Sequence, residues 1–112
     1  MSDAVAMYDE ADKLKDAGQL DEAAAKLQEA IAADPNYPLA HSGLAVVLQR
    51  LGRHEEAIAH ARRACELEPN DPFSFTALSV TYQRAFAGTN EMRYIRLAED
   101  AMEQSRILQS RR

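Results

Sequence analysis

One stretch of this chain occurs twice, and it constrains the fold more than any other feature of the sequence. Residues 18–36 read GQLDEAAAKLQEAIAADPN, and residues 52–70 read GRHEEAIAHARRACELEPN. The glycine, one glutamate, three alanines, the proline and the asparagine are identical in step, each 34 residues from its partner. A fixed period of about 20 to 50 residues is typical of stacked supersecondary units. The repeat therefore predicts a chain of similar units, each packed on the next.

Within each unit, apolar residues recur at the three- and four-residue spacing of an amphipathic helix. The pattern predicts helices over 3–17, about 21–33, about 38–51, about 54–67, from Pro72 onward, and about 91–109. Ser2 and Asp71 are the predicted N-caps of the first and fifth helices, because their side-chain oxygens can accept from a first-turn amide. Gly18 is predicted to end the first helix, since glycine adopts the left-handed closing conformation most easily.

The same spacing selects the residues that should form the core. Many are alanine, and small side chains at helix crossings let paired helices approach closely. The predicted core residues are Ala4, Met7, Tyr8, Ala11, Leu14, Ala23, Leu27, Ala30, Ile31, His41, Leu44, Ala45, Leu48, Leu51, Ala57, Ile58, Ala61, Ala64, Cys65, Phe75, Leu78, Ser79, Tyr82, Tyr94, Ala98, Ala101, Met102, Ser105 and Leu108. One hairpin cannot bury its own apolar face, so about three are needed for a stable stack.

The period breaks in the last third of the chain. A glycine is expected at position 86, but that residue is Phe86, and Gly88 comes two residues late. The alanine expected at 91 appears at 98, which indicates an insertion of about seven residues, divided between a longer turn and an extended last hairpin. Thr89 or Asn90 is the predicted N-cap of the last helix. The predicted units are about 4–37, 38–71 and 72–109, the last irregular.

These residues resemble the tetratricopeptide repeat family, a helix–turn–helix repeat with a period of about 34 residues. The match is best in the second unit, at Leu44, Ala45, Leu48, Gly52, Ala57, Ala61, Ala64 and Pro69. Where the family has Trp, Gly and Tyr, this unit has His41, Ala45 and Leu48. The resemblance covers about residues 4–85 in register. It implies an all-α fold, a right-handed α-solenoid of three helix–turn–helix hairpins with six or so helices.

Charge and hydropathy exclude several classes of partner. The 112 residues include 13 basic and 18 acidic side chains, and the net charge of −5 argues against nonspecific nucleic-acid binding. No apolar segment approaches the roughly 20 residues of a membrane span, and the first residues lack the basic and apolar regions of a signal peptide. Cys65 is the sole cysteine, which indicates a reducing compartment. We expect a soluble cytoplasmic protein with one domain over residues 1–112, binding neither nucleic acid nor membrane.

Little in the sequence supports catalysis or a bound cofactor. Residues 54–60, HEEAIAH, partly match the helical zinc motif of metalloproteases, but that motif needs histidines four residues apart. His54 and His60 are six apart, about 240° around a helix, and cannot share one ion. His41 and His54 stand where the resembled family has packing aromatics, and Cys65 has no neighbour at ligand spacing. We predict no enzyme, no metal and no cofactor.

The resemblance implies that ligand peptides lie along the first helix of each unit. The side chains predicted to face this groove are Tyr8, Asp12, Lys15 and Asp16, then Ser42, Val46, Gln49 and Arg50, then Thr76, Val80, Gln83 and Arg84. Val, Gln and Arg recur in step at 46/80, 49/83 and 50/84. Such a ladder can hydrogen-bond an extended peptide and pair with its carboxylates, although duplication of solvated residues gives the same pattern. We predict an adaptor that binds a peptide or helix of another protein.

Chaperone-type members of the family hold a C-terminal carboxylate with Lys, Asn and Arg on this face. Tyr8 and Asp12 stand where that clamp has Lys and Asn, and the first helix of the second unit has no Asn. These departures argue against chaperone C-terminal tails as ligands.

The alternative function is a structural scaffold that self-associates weakly, head to tail or end to end. Residues 1–34 carry nine acids and three bases, whereas residues 72–112 carry four acids and six bases and end in Arg111 and Arg112. The last helix also carries Ile95, Leu97 and Ile107. Against this alternative, scattered surface apolar residues are normal, and a long last helix is also the cap that solenoids need.

Overall fold

The structure, a computed structural model, describes residues 3–111 as a stack of three helical hairpins. Its helices are α1 (Asp3–Asp16), α2 (Leu20–Ala33), α3 (Pro38–Arg50), α4 (His54–Leu67), α5 (Pro72–Thr89) and α6 (Arg93–Ser110). Helices α1 and α2, α3 and α4, and α5 and α6 pair, and each hairpin packs on the next. The predicted all-α solenoid is confirmed. The predicted N-cap Ser2 and the terminal Arg112 lie outside the described residues.

The first two hairpins turn on glycine in the left-handed conformation. Gly18 has φ +81° and Gly52 has φ +78°, a region where a Cβ is disfavoured. The amide of Gln19 donates to the carbonyl of Leu14 at 2.9 Å, and the amide of Arg53 donates to Leu48 at 2.9 Å. These bonds satisfy carbonyls that the helix end would leave free. The duplicated glycines therefore fix the angle at which each second helix starts.

The third hairpin differs from the prediction in how it uses its extra residues. The turn over 90–92 has three residues, like the turns over 17–19 and 51–53, so the expected longer turn is wrong. The extra length lies in the helices, because α5 has 18 residues against 13 in α3, and α6 has 18 against 14 in α4. Longer paired helices bury more surface than a longer turn would.

The predicted N-cap of the last helix is also wrong. Asn90 instead ends α5, with φ 60°, and the cap residue of α6 is Met92, which makes no side-chain cap bond. Thr89 is the last residue of α5, and its hydroxyl donates to the carbonyl of Ala85 at 2.7 Å. Asparagine tolerates the left-handed region better than most residues, so Asn90 does what Gly18 and Gly52 do earlier. Gly88 lies inside α5, where an added Cβ would collide with the ring of His54.

The core lies along the predicted stripes. Leu44 and Leu48 are the largest fully buried side chains, at 0% and 1% exposure, and burying such a side chain contributes about 1.5–3 kcal/mol. Several predicted core residues are only half-buried, because they lie at the edges of the stripes: Met7, Tyr8, Leu14, Ile31, Leu51, Phe75 and Met102. Val47, Thr81 and Ala85 are buried although they were not predicted. No helix within residues 3–111 is long and apolar enough to cross a membrane.

Candidate partner-binding groove

The first helices of the three hairpins lie side by side and enclose two small cavities. One, of about 150 Å³, lies between α1 and α3 and is lined by Tyr8, Ala11, Asp12, Lys15, Leu27, Ser42, Gly43, Val46 and Val47. The other, of about 190 Å³, lies between α3 and α5 and is lined by Ser42, Ala45, Val46, Gln49, Ala61, Ala64, Ser74, Ala77, Val80 and Thr81. Ser42 and Val46 line both cavities. We call the surface formed by these two neighbouring cavities the α1/α3/α5 groove.

Of the twelve side chains predicted to face the groove, Asp16 does not line either cavity, whereas seven others are brought together there. These are Tyr8, Asp12, Lys15, Ser42, Val46, Gln49 and Val80, all of which line the groove. Arg50, Thr76, Gln83 and Arg84 line neither cavity. The predicted side chains therefore form a groove over the first two hairpins more completely than over the third.

Thr76 and Gln83 contact their own hairpin rather than the groove. The hydroxyls of Thr76 and Ser105 are hydrogen-bonded at 2.7 Å, which ties α5 to α6. The Gln83 side chain donates to the Ser79 hydroxyl at 3.2 Å and lines a separate cavity between α5 and α6. Gln49 and Gln83 share a position in the repeat but not an environment, because a further hairpin covers only the first.

The cations beside the groove divide into paired and unpaired groups. On α1, Lys15 pairs with Asp12 at 3.1 Å and with Asp16 at 4.0 Å. Arg50 and Arg84 are exposed, and within the described residues neither forms an ion pair or a side-chain hydrogen bond. Helices α3 and α5 contain no acidic residue. An acidic ligand group would thus find two unengaged guanidinium groups on α3 and α5.

Two small residues of the groove, Gly43 and Ala77, were not predicted from the sequence. A Cβ built on Gly43 would lie 3.2 Å from the ring of Tyr8 and 3.4 Å from Leu27, so glycine permits the close approach of α3. Tyr8 also packs edge to face against Tyr37, with ring centroids 6.1 Å apart. Burial raises the pKa of Tyr37, with smaller contributions from Tyr8 and nearby acids. Gly43 and its counterpart Ala77, 34 residues later, are both small. This shared small size is the sequence signal that could have identified them.

The histidines and the cysteine have structural contacts. The two Nδ1 atoms of His41 and His60 lie 3.1 Å apart, and His41 Nε2 lies 2.8 Å from the Pro35 carbonyl. Because a carbonyl only accepts, His41 Nε2 carries a proton and donates to the Pro35 carbonyl. Burial and then the neighbouring His41 lower the pKa of His60. The Cys65 thiol is buried and donates to the Ser74 carbonyl. Residues 3–111 contain no group of three metal-ligating side chains placed to hold an ion.

Comparison with known families agrees with this architecture. A family model described as Tetratricopeptide repeat matches residues 8–72, more than half of the 112 residues. The chain belongs to the tetratricopeptide repeat family. This match covers the first two hairpins and reaches the start of α5, the part of the chain in which the period is strict. No curated protein gives a significant sequence match.

Solved tetratricopeptide repeat structures share the fold at low sequence identity. The second TPR of Spaghetti (RPAP3), solved with the HSP90 peptide SRMEEVD, is 21% identical with TM-score 0.77, covering 94% of this chain and 91% of that one. A MamA crystal structure is 19% identical with TM-score 0.82, covering 96% of this chain but only 59% of that one. The Sgt2 TPR domain from Aspergillus fumigatus is 14% identical with TM-score 0.68, covering 95% and 78%. These similarities establish the fold.

Proposed function

We propose that this protein is a non-catalytic adaptor that holds a segment of another protein in the α1/α3/α5 groove. The observation that carries the proposal is that the two cavities are neighbours and share Ser42 and Val46 in their walls. A groove shared by three helices suits an extended peptide or a short helix. We further propose a cytoplasmic location, because the chain has a single cysteine, which is buried and has no second cysteine for an internal disulfide.

The chemistry of the groove favours a ligand with both apolar and acidic side chains. Val46 and Val80 offer apolar contact, and Gln49 offers an amide for the ligand backbone. The unpaired Arg50 and Arg84 favour ligand carboxylates, since a guanidinium group binds a carboxylate through two parallel hydrogen bonds. On α1 the ion-paired Lys15 and the acids around it do not offer this. We therefore place the acidic part of the ligand over α3 and α5.

We propose that the ligand is not a chaperone C-terminal tail. The peptide SRMEEVD is bound by a structure similar to this one, but Asp12 lies in the groove where the chaperone-type clamp has Asn. A carboxylate beside a terminal carboxylate is repulsive. Isothermal titration of the full chain with SRMEEVD should show no binding, and saturable binding that Arg50→Ala weakens would contradict this restriction.

The adaptor proposal is tested by comparing three forms of the chain in affinity purification and mass spectrometry. Arg50→Ala with Arg84→Ala removes the unpaired cations, and Val46→Trp places a bulky ring at the residue that lines both cavities. Arg62→Ala with Arg96→Ala is the matched control, because it removes two exposed arginines from α4 and α6. We expect partners to be retained by the control and lost from both groove variants at unchanged helicity. Equal recovery by all forms would contradict the proposal.

The scaffold alternative concerns the ends of the stack instead of the groove. It is favoured by the partly exposed Ile95, Leu97 and Ile107 of α6, at 37%, 37% and 38%. The two ends differ in their chemistry, and that difference limits how copies can associate.

A further inference from the structure

The C-terminal end of the stack has the largest cavity of those described, about 570 Å³, between α5 and α6. Its apolar walls come from Phe86, Ile95 and Met102, and its charged groups are Glu99 and Arg106. The two groove cavities are smaller, about 150 and 190 Å³, because the next hairpin covers the equivalent space there. The large cavity is open because α5 and α6 form the last hairpin of the described chain.

The exposed stripe of α6 corresponds to a stripe of α4 that is packed against the next hairpin. With the 41-residue offset that relates Ala57 to Ala98, the stripe Ile95, Glu99, Met102 and Arg106 matches His54, Ile58, Ala61 and Cys65. In the middle hairpin α5 covers this stripe: Ile58, Ala61 and Cys65 are 9%, 4% and 5% exposed, and the Cys65 thiol donates to Ser74 of α5. The α6 stripe thus occupies the position of a packing surface, but no helix within residues 3–111 covers it.

The charges on this stripe are arranged so that the stripes of two copies can pair with each other. Glu99 and Arg106 are seven residues apart, two helical turns, with Met102 between them on the same face. Arg106 is exposed and also ion-paired with Glu103 of its own helix at 3.4 Å, so in a dimer it would share its guanidinium group between Glu103 and Glu99 of the other copy. If two copies of α6 pack antiparallel across Met102, each Glu99 faces Arg106 of the other copy. Both ion pairs then form at once, as an interface with two-fold symmetry requires.

The other end of a second copy does not fit this stripe. At the positions where α3 packs on the first hairpin through Gly43, Leu44 and Val47, α1 has Asp9, Glu10 and Lys13 (each 34 residues earlier). These three α1 residues are exposed, and Glu10 is ion-paired with Lys26 at 3.5 Å. Head-to-tail stacking would bury all three against Phe86 and Met102, and moving charged side chains from water into an apolar contact is strongly unfavourable even for the ion-paired Glu10.

We propose that the α5/α6 end binds the same end of a second copy of this chain, forming a two-fold dimer with antiparallel α6 helices. The contact rests on Met102 at its centre, flanked by two Glu99–Arg106 pairs, with Ile95 at its edge. A patch this small gives a weak, reversible dimer. The dimer leaves the α1/α3/α5 groove free, so the inference does not depend on the proposed adaptor function.

Sedimentation equilibrium of the full chain tests the dimer directly. We expect the average mass to rise with concentration from 12.4 kDa toward twice that value and no further. Glu99→Arg alone and Arg106→Glu alone each set like charges face to face, so each should raise the dissociation constant about tenfold or more. The double variant restores both pairs with the charges exchanged, and its dissociation constant should return to within about threefold of the original chain.

Arg96→Glu is the matched control, because it makes the same charge change at an exposed α6 residue that does not line the cavity. It should leave the dissociation constant unchanged, and circular dichroism should show that all variants keep their helicity. A chain that is monomeric at every concentration overturns the proposal. A dimer that ignores both single reversals, or that the double variant fails to restore, overturns the antiparallel arrangement.

Discussion

The two ends of the stack present the two opposite packing faces of a hairpin, and they differ in chemistry. At the N-terminal end, Asp9, Glu10 and Lys13 take positions that hold Gly43, Leu44 and Val47 in the next unit. At the C-terminal end, the stripe equivalent to Ile58, Ala61 and Cys65 becomes Glu99, Met102 and Arg106. The first end has charges in place of the packing residues, whereas the second has one apolar residue, Met102, between two charges of opposite sign.

This difference shows what the repeat determines and what it leaves free. The period fixes which positions face the neighbouring hairpin, since residues 34 apart lie at the same place in successive units. The side chain at that place then decides whether the stack continues, stops or pairs with a copy of itself. Three charges on α1 disfavour the stacking of a further hairpin at the N-terminal end. The spacing of Glu99 and Arg106 on α6 favours pairing with a second copy.

The largest expected effect comes from comparing Leu44 of α3 with Glu10 of α1, which hold the same position in the repeat. Leu44 is fully buried, so Leu44→Ala should lower the free energy of unfolding by about 2–5 kcal/mol. Glu10 is its counterpart at the N-terminal end and is exposed, so Glu10→Ala should change stability far less. Urea unfolding followed by circular dichroism measures both. Comparable losses for the two substitutions would show that the N-terminal end is not open to solvent.

A smaller effect is expected from comparing Cys65, which α5 covers, with its counterpart Arg106 at the C-terminal end of the stack, which is exposed. Burial, then the charges of Asp71 and Glu66, raises the pKa of the Cys65 thiol from 9.0 to about 11. At pH 8 the folded chain therefore holds about a hundredfold less Cys65 thiolate than the unfolded chain, and thiolate is the reactive form. The contribution of this pKa shift to the free energy of unfolding is fully present below pH 9 and is lost as the pH rises through 11.

The comparison uses Arg106→Cys in a Cys65→Ala chain, which moves the thiol to the equivalent uncovered position. With a thiol-reactive dye at pH 8 and low protein concentration, this variant should react at least about a hundredfold faster than the original chain. Equal rates would mean that α5 does not cover Cys65 as the structure shows.

The sequence was sufficient for the regular part of the molecule. The helices of the first two hairpins lie within a residue or so of their predicted bounds, because Gly18, Gly52 and Pro38 mark helix ends by backbone chemistry alone. The left-handed Asn90 was not predicted, since nothing local distinguishes a helix that ends there from one that ends at Gly88. Only the packing of Gly88 against His54 shows that α5 continues.

The groove was predictable to the extent that its residues repeat. Val46 and Val80 line it as expected, because a residue and its counterpart 34 positions later project alike. Thr76 and Gln83 differ because their surroundings do not repeat: Ser105 and Ser79 engage them within the last hairpin. Side chains at the same position of a repeat project in the same direction, whereas their contacts depend on whether another hairpin packs against them.

The most direct test of the account converts the closed end into an open one. The triple variant Asp9→Ala, Glu10→Leu, Lys13→Val gives α1 the packing residues of the inner hairpins, and its mass can be measured by light scattering over a range of concentrations. We predict that the original chain stops at twice 12.4 kDa, whereas the triple variant forms larger assemblies because both of its ends associate. A triple variant that also stops at the dimer, or an original chain that exceeds it, would contradict the claim that chemistry at these positions closes the N-terminal end.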